Sequence, residues 1–81
     1  MGNYVDPSRV ESLLDDLCIR LGFCLPPDAR SRLLETPPAD AAAFTDAVFI
    51  AEGMNPALVD RHLYRQVRAM VVRAFSEAQE A

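Results

Sequence analysis

Cys18, Cys24 and His62 are the residues of this chain that could bind a transition metal or form a nucleophile with its base. A structural zinc site takes four nitrogen or sulfur ligands, usually in close pairs at fixed spacings. These three residues are too few, and no metal-binding spacing relates them. Cys24 and His62 could meet in a folded chain, but neither lies in a signature of a cysteine nucleophile. We therefore predict no metal site and no catalytic residue.

Acidic motifs that bind a metal ion and glycine-rich motifs that bind phosphate are also missing, whereas the sequence leaves paired carboxylates for acid–base work open. Asp15 and Asp16 are adjacent, so on a helix their side chains point about 100° apart and do not face one metal ion. The three glycines are isolated, which leaves no loop that could wrap a phosphate. A helical chain of 81 residues also has little room for a pocket that excludes water. We expect no enzyme, no cofactor and no small-molecule substrate.

The most informative group is a strip of arginine and aromatic residues near the C-terminus. Arg61, Arg65 and Arg68 recur at i, i+4 and i+7, the spacing of one helix face. Arginine and aromatic residues dominate the binding energy of protein interfaces, and guanidinium groups bind carboxylates in bidentate pairs. We therefore predict a binding surface for an acidic, partly apolar protein partner. Its predicted residues are Arg61, Tyr64, Arg65, Arg68, Val72 and Phe75.

The same strip has other interpretations. It could be a solvated face whose arginine stems cover the edge of the core, or it could lie against nucleic-acid phosphates. Residues 58–76 carry four arginines and Asp60, a charge of +3, so the rest of the chain carries −7 within a total of −4. Positive charge is confined to one short segment of an acidic chain and does not form an extended basic surface. We therefore expect neither nucleic acid nor a membrane as the main partner. Glu11, Asp15 and Asp16 could instead receive the strip, within one molecule or in a homodimer.

Helix-start and helix-stop residues divide the chain into four helices. Asp6, Asp40 and Asn55 are predicted N-caps, and Gly22 and Gly53 are predicted stops in left-handed backbone. Apolar residues repeat at helical spacing and not at strand spacing. The predicted helices span 7–21, 27–35, 41–52 and 56–76, with residues 77–81 frayed. The length allows one core. We predict an all-α, single-domain bundle of four helices, of which the second is short.

Several apolar residues do not fit the predicted helix faces. Ile19 lies opposite the apolar face of the first helix, Phe49 lies off the face of the third, and Val72 lies within the arginine strip. Each could be covered by a loop, whereas exposure of all three would indicate a partner surface. The sequence does not decide whether Ile19 and Phe49 are covered.

The two cysteines are predicted to be structural. Cys18 falls on the apolar face of the first helix and is expected to be a small buried residue, and Cys24 follows a turn. An oxidised pair would need the turn at Gly22 to bring the two sulfur atoms together.

Composition narrows the function classes. Hydrophobic residues make up 51% of the chain, which argues against intrinsic disorder. Every basic residue is arginine and twelve residues are alanine, which indicates a GC-rich genome. The sequence has no secretory signature and no apolar stretch that approaches the ~20 residues of a membrane span, so we expect a cytoplasmic protein.

In size, acidity and helical make-up the chain is similar to small bacterial immunity proteins that block toxins. The likeness involves no motif and transfers no functional residues. We predict a small non-catalytic protein-interaction module with a regulatory, adaptor or inhibitory role. A toxin-neutralising immunity protein is one alternative, and a small nucleic-acid-associated regulator is another.

Overall fold

Four α-helices form the fold. A computed structural model describes residues 7–80, with side chains from Ser8 to Ser76, and contains no strand in that range. The helices are α1 (Pro7–Leu21), α2 (Pro27–Glu35), α3 (Ala41–Ala51) and α4 (Arg61–Glu80). α4 packs against both α1 and α3, and α2 packs against α1, so the helices share one core. The predicted all-α bundle of four helices, with a short second helix, is confirmed.

α1 has the predicted bounds and the predicted apolar face. Its leucines and valine at helical spacing are buried, namely Val10, Leu13, Leu14 and Leu17. Gly22 ends the helix in left-handed backbone with φ 75°, a conformation that glycine adopts without a steric penalty. The N–H of Gly22 donates to the carbonyl of Cys18, and the N–H of Phe23 donates to the carbonyl of Leu17. The predicted N-cap, Asp6, lies outside the described residues.

α3 begins after the predicted N-cap, Asp40, and ends before the predicted stop, Gly53. The Asp40 carboxylate accepts a hydrogen bond of 3.1 Å from the N–H of Ala43, which is the expected N-cap contact. Gly53 has a φ of 79° beyond the other end. Glu52 is the C-cap residue and not the last helical residue, so α3 is one residue shorter than the predicted span.

α4 begins at Arg61, and the predicted start at Pro56 is wrong. Asn55 caps only a single turn, in which its side chain accepts from the N–H of Ala57 at 2.9 Å. The helix then starts at a second cap, Asp60, whose carboxylate accepts from the N–H of Leu63 at 3.3 Å. The chain therefore contains two N-cap signals in succession, and the later one begins the helix.

α4 also extends farther than predicted. It continues to Glu80, whereas the predicted end was Ser76 with fraying from 77 onward. The physical reason is that no glycine or proline follows Ser76, so no residue there opposes helical backbone. Residue 81 lies outside the described range.

Phe49 is fully buried, which answers a question that the sequence left open. Its ring meets Phe23 edge to face at 5.3 Å between centroids and stacks on Tyr64 at 5.6 Å. α3 is therefore buried on more than its predicted face. Phe44 and Val48 lie on that face, and Phe49, which lies off it, is covered by the loop residue Phe23. A helical wheel assigns one apolar face and misses cover that is provided by a loop.

Cys18 and Cys24 form a disulfide, which corrects the prediction that Cys18 is a buried free thiol. Cys18 is half-buried and Cys24 is exposed. The left-handed turn at Gly22 between them reverses the chain after α1. This is the turn that the sequence analysis required to bring the two sulfur atoms together.

Ile19 and Val72 remain at the surface. Ile19 is 80% exposed, and Val72 is 40% exposed. Of the three off-face residues, only Phe49 is covered.

Candidate functional site

The predicted arginine and aromatic residues do not form one exposed surface, and Phe75 departs most from the prediction. Phe75 is buried in the core, where its ring meets Phe44 edge to face at 5.6 Å between centroids. It lies one helical turn after Val71, which is also buried. The sequence placed Phe75 at the edge of the apolar face, but α3 covers that edge. Phe75 is therefore not available to a partner.

Tyr64 is held between α3 and α4. Its ring stacks on Phe49, and its hydroxyl donates a hydrogen bond of 2.8 Å to the carboxylate of Asp46. This hydrogen bond, together with burial and the negative charge of Asp46, raises the pKa of the Tyr64 phenol above its ordinary 10.0. Tyr64 is half-buried and fixed by these contacts, so its role is to join two helices.

Arg61 is used inside its own loop. Its guanidinium donates to the carbonyl of Pro56 at 2.6 Å and to the carbonyl of Val59 at 3.2 Å. The same group lies over the Tyr64 ring, 4.9 Å from the centroid, in a cation–π contact. Arg61 therefore holds the turn before α4, and its donors are directed at backbone carbonyls instead of a partner.

The remaining predicted residues form an exposed site, which we call the α4 socket. Arg65, Arg68, Ala69 and Val72 are all exposed and line one open depression of about 280 Å³. The sequence prediction contained three of these residues and missed Ala69. The signal for Ala69 was present, because it lies four residues after Arg65 and three before Val72 on the same face.

The arginines of the α4 socket form no ion pair with any side chain between Ser8 and Ser76. Two of the three acidic residues of α1 that could have received them, Glu11 and Asp15, lie near another arginine. Arg30 of α2 lies 2.9 Å from the Asp15 carboxylate and 3.9 Å from the Glu11 carboxylate. Pairing of Arg65 and Arg68 with α1 within one molecule, which the sequence left as an alternative, is therefore not made in the described residues.

A second surface feature, which the sequence reasoning did not single out, is an apolar groove between α2 and α3. Leu33, Ala47 and Ile50 contribute to a groove of about 500 Å³. Ile50 is 63% exposed there. No element of the described chain covers Ile50, so the groove has an open apolar side, and Asp28 and Arg32 also line it.

A polar groove of about 230 Å³ runs between α1 and α4. Arg9, Arg20 and Arg73 line it together with one carboxylate, Asp16. It adds a second cationic area to a molecule with a net charge of −4.

The possible metal ligands of the described side chains are not grouped around one point. Between Ser8 and Ser76, no three histidine, cysteine or acidic residues are grouped so that they could hold a metal ion. Cys24 is bonded to Cys18, so it has no thiol to pair with His62 as nucleophile and base. His62 is exposed on α4.

Comparisons with family models, with curated proteins and with solved structures give no match. In the described range, none of the helices combines the length and the apolar character that crossing a bilayer requires.

Proposed function

We propose that this chain is a small non-catalytic protein-interaction module that binds an acidic protein partner through the α4 socket. The observation that carries the proposal is that two exposed arginines, Arg65 and Arg68, line one depression with the exposed apolar residues Ala69 and Val72. Neither arginine has a carboxylate partner among the described side chains. Carboxylates on another protein would satisfy both groups.

Charge supports a protein partner over nucleic acid. The molecule has a net charge of −4, which opposes association with a phosphate backbone. Arg61, the first member of the predicted phosphate-facing trio, is directed at the carbonyls of Pro56 and Val59. Two arginines remain on that face, and an affinity built on phosphate contacts needs several more.

A different protein is favoured over a second copy of this chain. In a homodimer, the acidic residues of α1 were the expected receivers of the arginine strip. Asp15 and Glu11 lie close to Arg30, so releasing them for a second copy would break an existing ion pair. A regulatory, adaptor or inhibitory role fits binding of this kind, and toxin neutralisation is its inhibitory form.

The test is quantitative affinity capture from the source cells with a matched pair of double variants. Arg65→Ala/Arg68→Ala removes two positive charges from the α4 socket, and Arg20→Ala/Arg32→Ala removes the same charge from exposed positions elsewhere. We expect at least one protein to be retained by wild type and by the control variant about tenfold more than by the socket variant. Nuclease treatment of the lysate should leave its recovery unchanged.

Circular dichroism of both double variants checks that the fold is intact. Each changed side chain is exposed, so neither variant should lose helical structure. The proposal is wrong if every captured protein is retained equally by the two variants.

A further inference from the structure

The four residues of the α4 socket have the spacing that receives a side chain from another helix. In packed helices, a side chain of one helix inserts into a hole made by four residues of its neighbour. Those four residues lie at i, i+3, i+4 and i+7. Arg65, Arg68, Ala69 and Val72 have this spacing, and they are the residues that line the depression on α4.

The chemistry of the hole is divided between its floor and its rim. Ala69 is small, so a partner helix can approach the α4 backbone closely at this point. Val72 adds an apolar wall that is 40% exposed. Arg65 and Arg68 line the same depression, so it combines an apolar surface with two positively charged residues.

Building on the proposed function, we infer that the partner docks as an acidic amphipathic helix. One apolar side chain of that helix enters the hole over Ala69, and carboxylates one turn away on the same helix pair with Arg65 and Arg68. Helix-in-groove recognition uses such apolar anchors at helical spacing. Bidentate pairing with carboxylates makes the two arginines select for glutamate and aspartate against lysine.

A surface of this shape disfavours other modes of peptide binding. An extended peptide binds by adding a strand to an open sheet edge, and residues 7–80 contain no sheet. Proline-rich segments dock in grooves lined by aromatic rings, whereas the two aromatic residues of the predicted strip, Tyr64 and Phe75, are packed against α3.

The experiment selects a partner helix from a library. A stable helical scaffold with its surface positions randomised is displayed and selected against the intact wild-type chain. Binders are then measured against Ala69→Leu, which fills the hole and keeps every charge. Ala43→Leu, the same substitution at an exposed position of α3, is the matched control.

We expect the selected helices to share an apolar residue flanked by Asp or Glu at three or four positions away. Their affinity should fall about tenfold or more with Ala69→Leu, and also with Arg65→Ala/Arg68→Ala, and should be unchanged with Ala43→Leu. Amide chemical-shift changes in the labelled chain should centre on residues 65–72.

The inference is overturned if no helix is enriched, if the enriched helices lack acidic residues, or if Ala69→Leu binds them as tightly as wild type. None of these results contradicts the proposed function if the socket double variant still fails to capture the cellular partner. The opposite result would contradict the proposed function alone: helices from the library bind the α4 socket, but no cellular protein is lost with the socket double variant.

Discussion

Tyr64 connects the parts of the molecule that position the α4 socket. Its ring stacks on Phe49 of α3, its hydroxyl donates to Asp46, and the Arg61 guanidinium lies over the ring. Through these contacts one side chain fixes the start of α4 relative to α3. The aromatic residue that the sequence assigned to a partner therefore acts inside the fold.

Replacing Tyr64 with phenylalanine tests this role at the residue scale. Tyr64→Phe keeps the ring and removes the hydrogen bond to Asp46, so the free energy of unfolding should fall by about 1 kcal/mol near neutral pH. Urea unfolding followed by circular dichroism measures the change. An unchanged or increased stability would contradict the assigned hydrogen bond.

The contribution of Tyr64 should also depend on pH. Because the pKa of the phenol is raised in the folded chain, the hydrogen bond stabilises fully below the unfolded pKa of about 10 and is lost as the pH rises through the higher folded pKa. The stability difference between wild type and Tyr64→Phe should therefore be constant from pH 7 to about pH 9 and should vanish at higher pH. The Tyr4→Phe variant, which leaves Tyr64 as the one phenol, allows its ionisation to be followed by absorbance.

Exposure of single residues was the least predictable property of the sequence. Periodicity correctly placed Val10 and Leu17 in the core, because a regular face on a long helix has one side to bury. Phe49 and Phe75 lie at the margins of their faces, where burial depends on which neighbouring segment covers them. That information lies in the packing of Phe23 and of α3, and a helical wheel does not contain it.

At the scale of elements, the start of α4 depends on a competition between two caps. Asp60→Ala removes the cap at which the helix begins and should lower the free energy of unfolding by about 1 kcal/mol. Asn55→Ala removes the cap of a single exposed turn and should cost less. Asp60→Asn, which keeps an accepting oxygen, should restore most of the loss. A larger effect of Asn55→Ala than of Asp60→Ala would show that the helix begins at Pro56.

The disulfide is the element-scale feature that fixes the α1–α2 loop. It joins residues six positions apart and restrains the segment that carries Phe23 into the core. Closing so short a loop stabilises by about 2 kcal/mol in the chain-entropy account. Reduction should therefore lower the melting temperature of wild type, and it should leave the Cys18→Ala/Cys24→Ala variant unaffected. Equal melting curves for oxidised and reduced wild type would contradict this role.

The disulfide also counts against the cytoplasmic expectation. Disulfides persist in oxidising compartments and are rare where thiols are kept reduced. The cytoplasmic location stays a prediction, which trapping of free thiols in intact cells would decide for Cys18 and Cys24.

At the scale of the whole molecule, the sequence predicted the fold better than the site. Caps such as Asp40 and left-handed stops at Gly22 and Gly53 mark helix ends by local chemistry, so most bounds and the four-helix architecture followed from them. The exposed surface of α4 was predicted in part. Arg65, Arg68 and Val72 are exposed. Ala69 could have been found from its spacing to Arg65 and Val72, whereas the internal contacts of Arg61 depend on where α4 begins.

The distribution of charge gives the whole molecule its expected selectivity. The chain has a net charge of −4. Its α4 socket contains two arginines that form no ion pair with the described side chains. Two of the three acidic residues of α1, Glu11 and Asp15, are paired with Arg30. The molecule should therefore discriminate by local complementarity at α4, with its overall charge repelling nucleic acid.

The most direct test of this account is the affinity of the captured partner for purified chain, measured by calorimetry on wild type, Arg65→Ala/Arg68→Ala and Arg20→Ala/Arg32→Ala. The account predicts that the socket variant loses about tenfold or more in affinity, which is about 1.4 kcal/mol, and that the equally charged control binds as wild type does. Equal dissociation constants for the two double variants would contradict it.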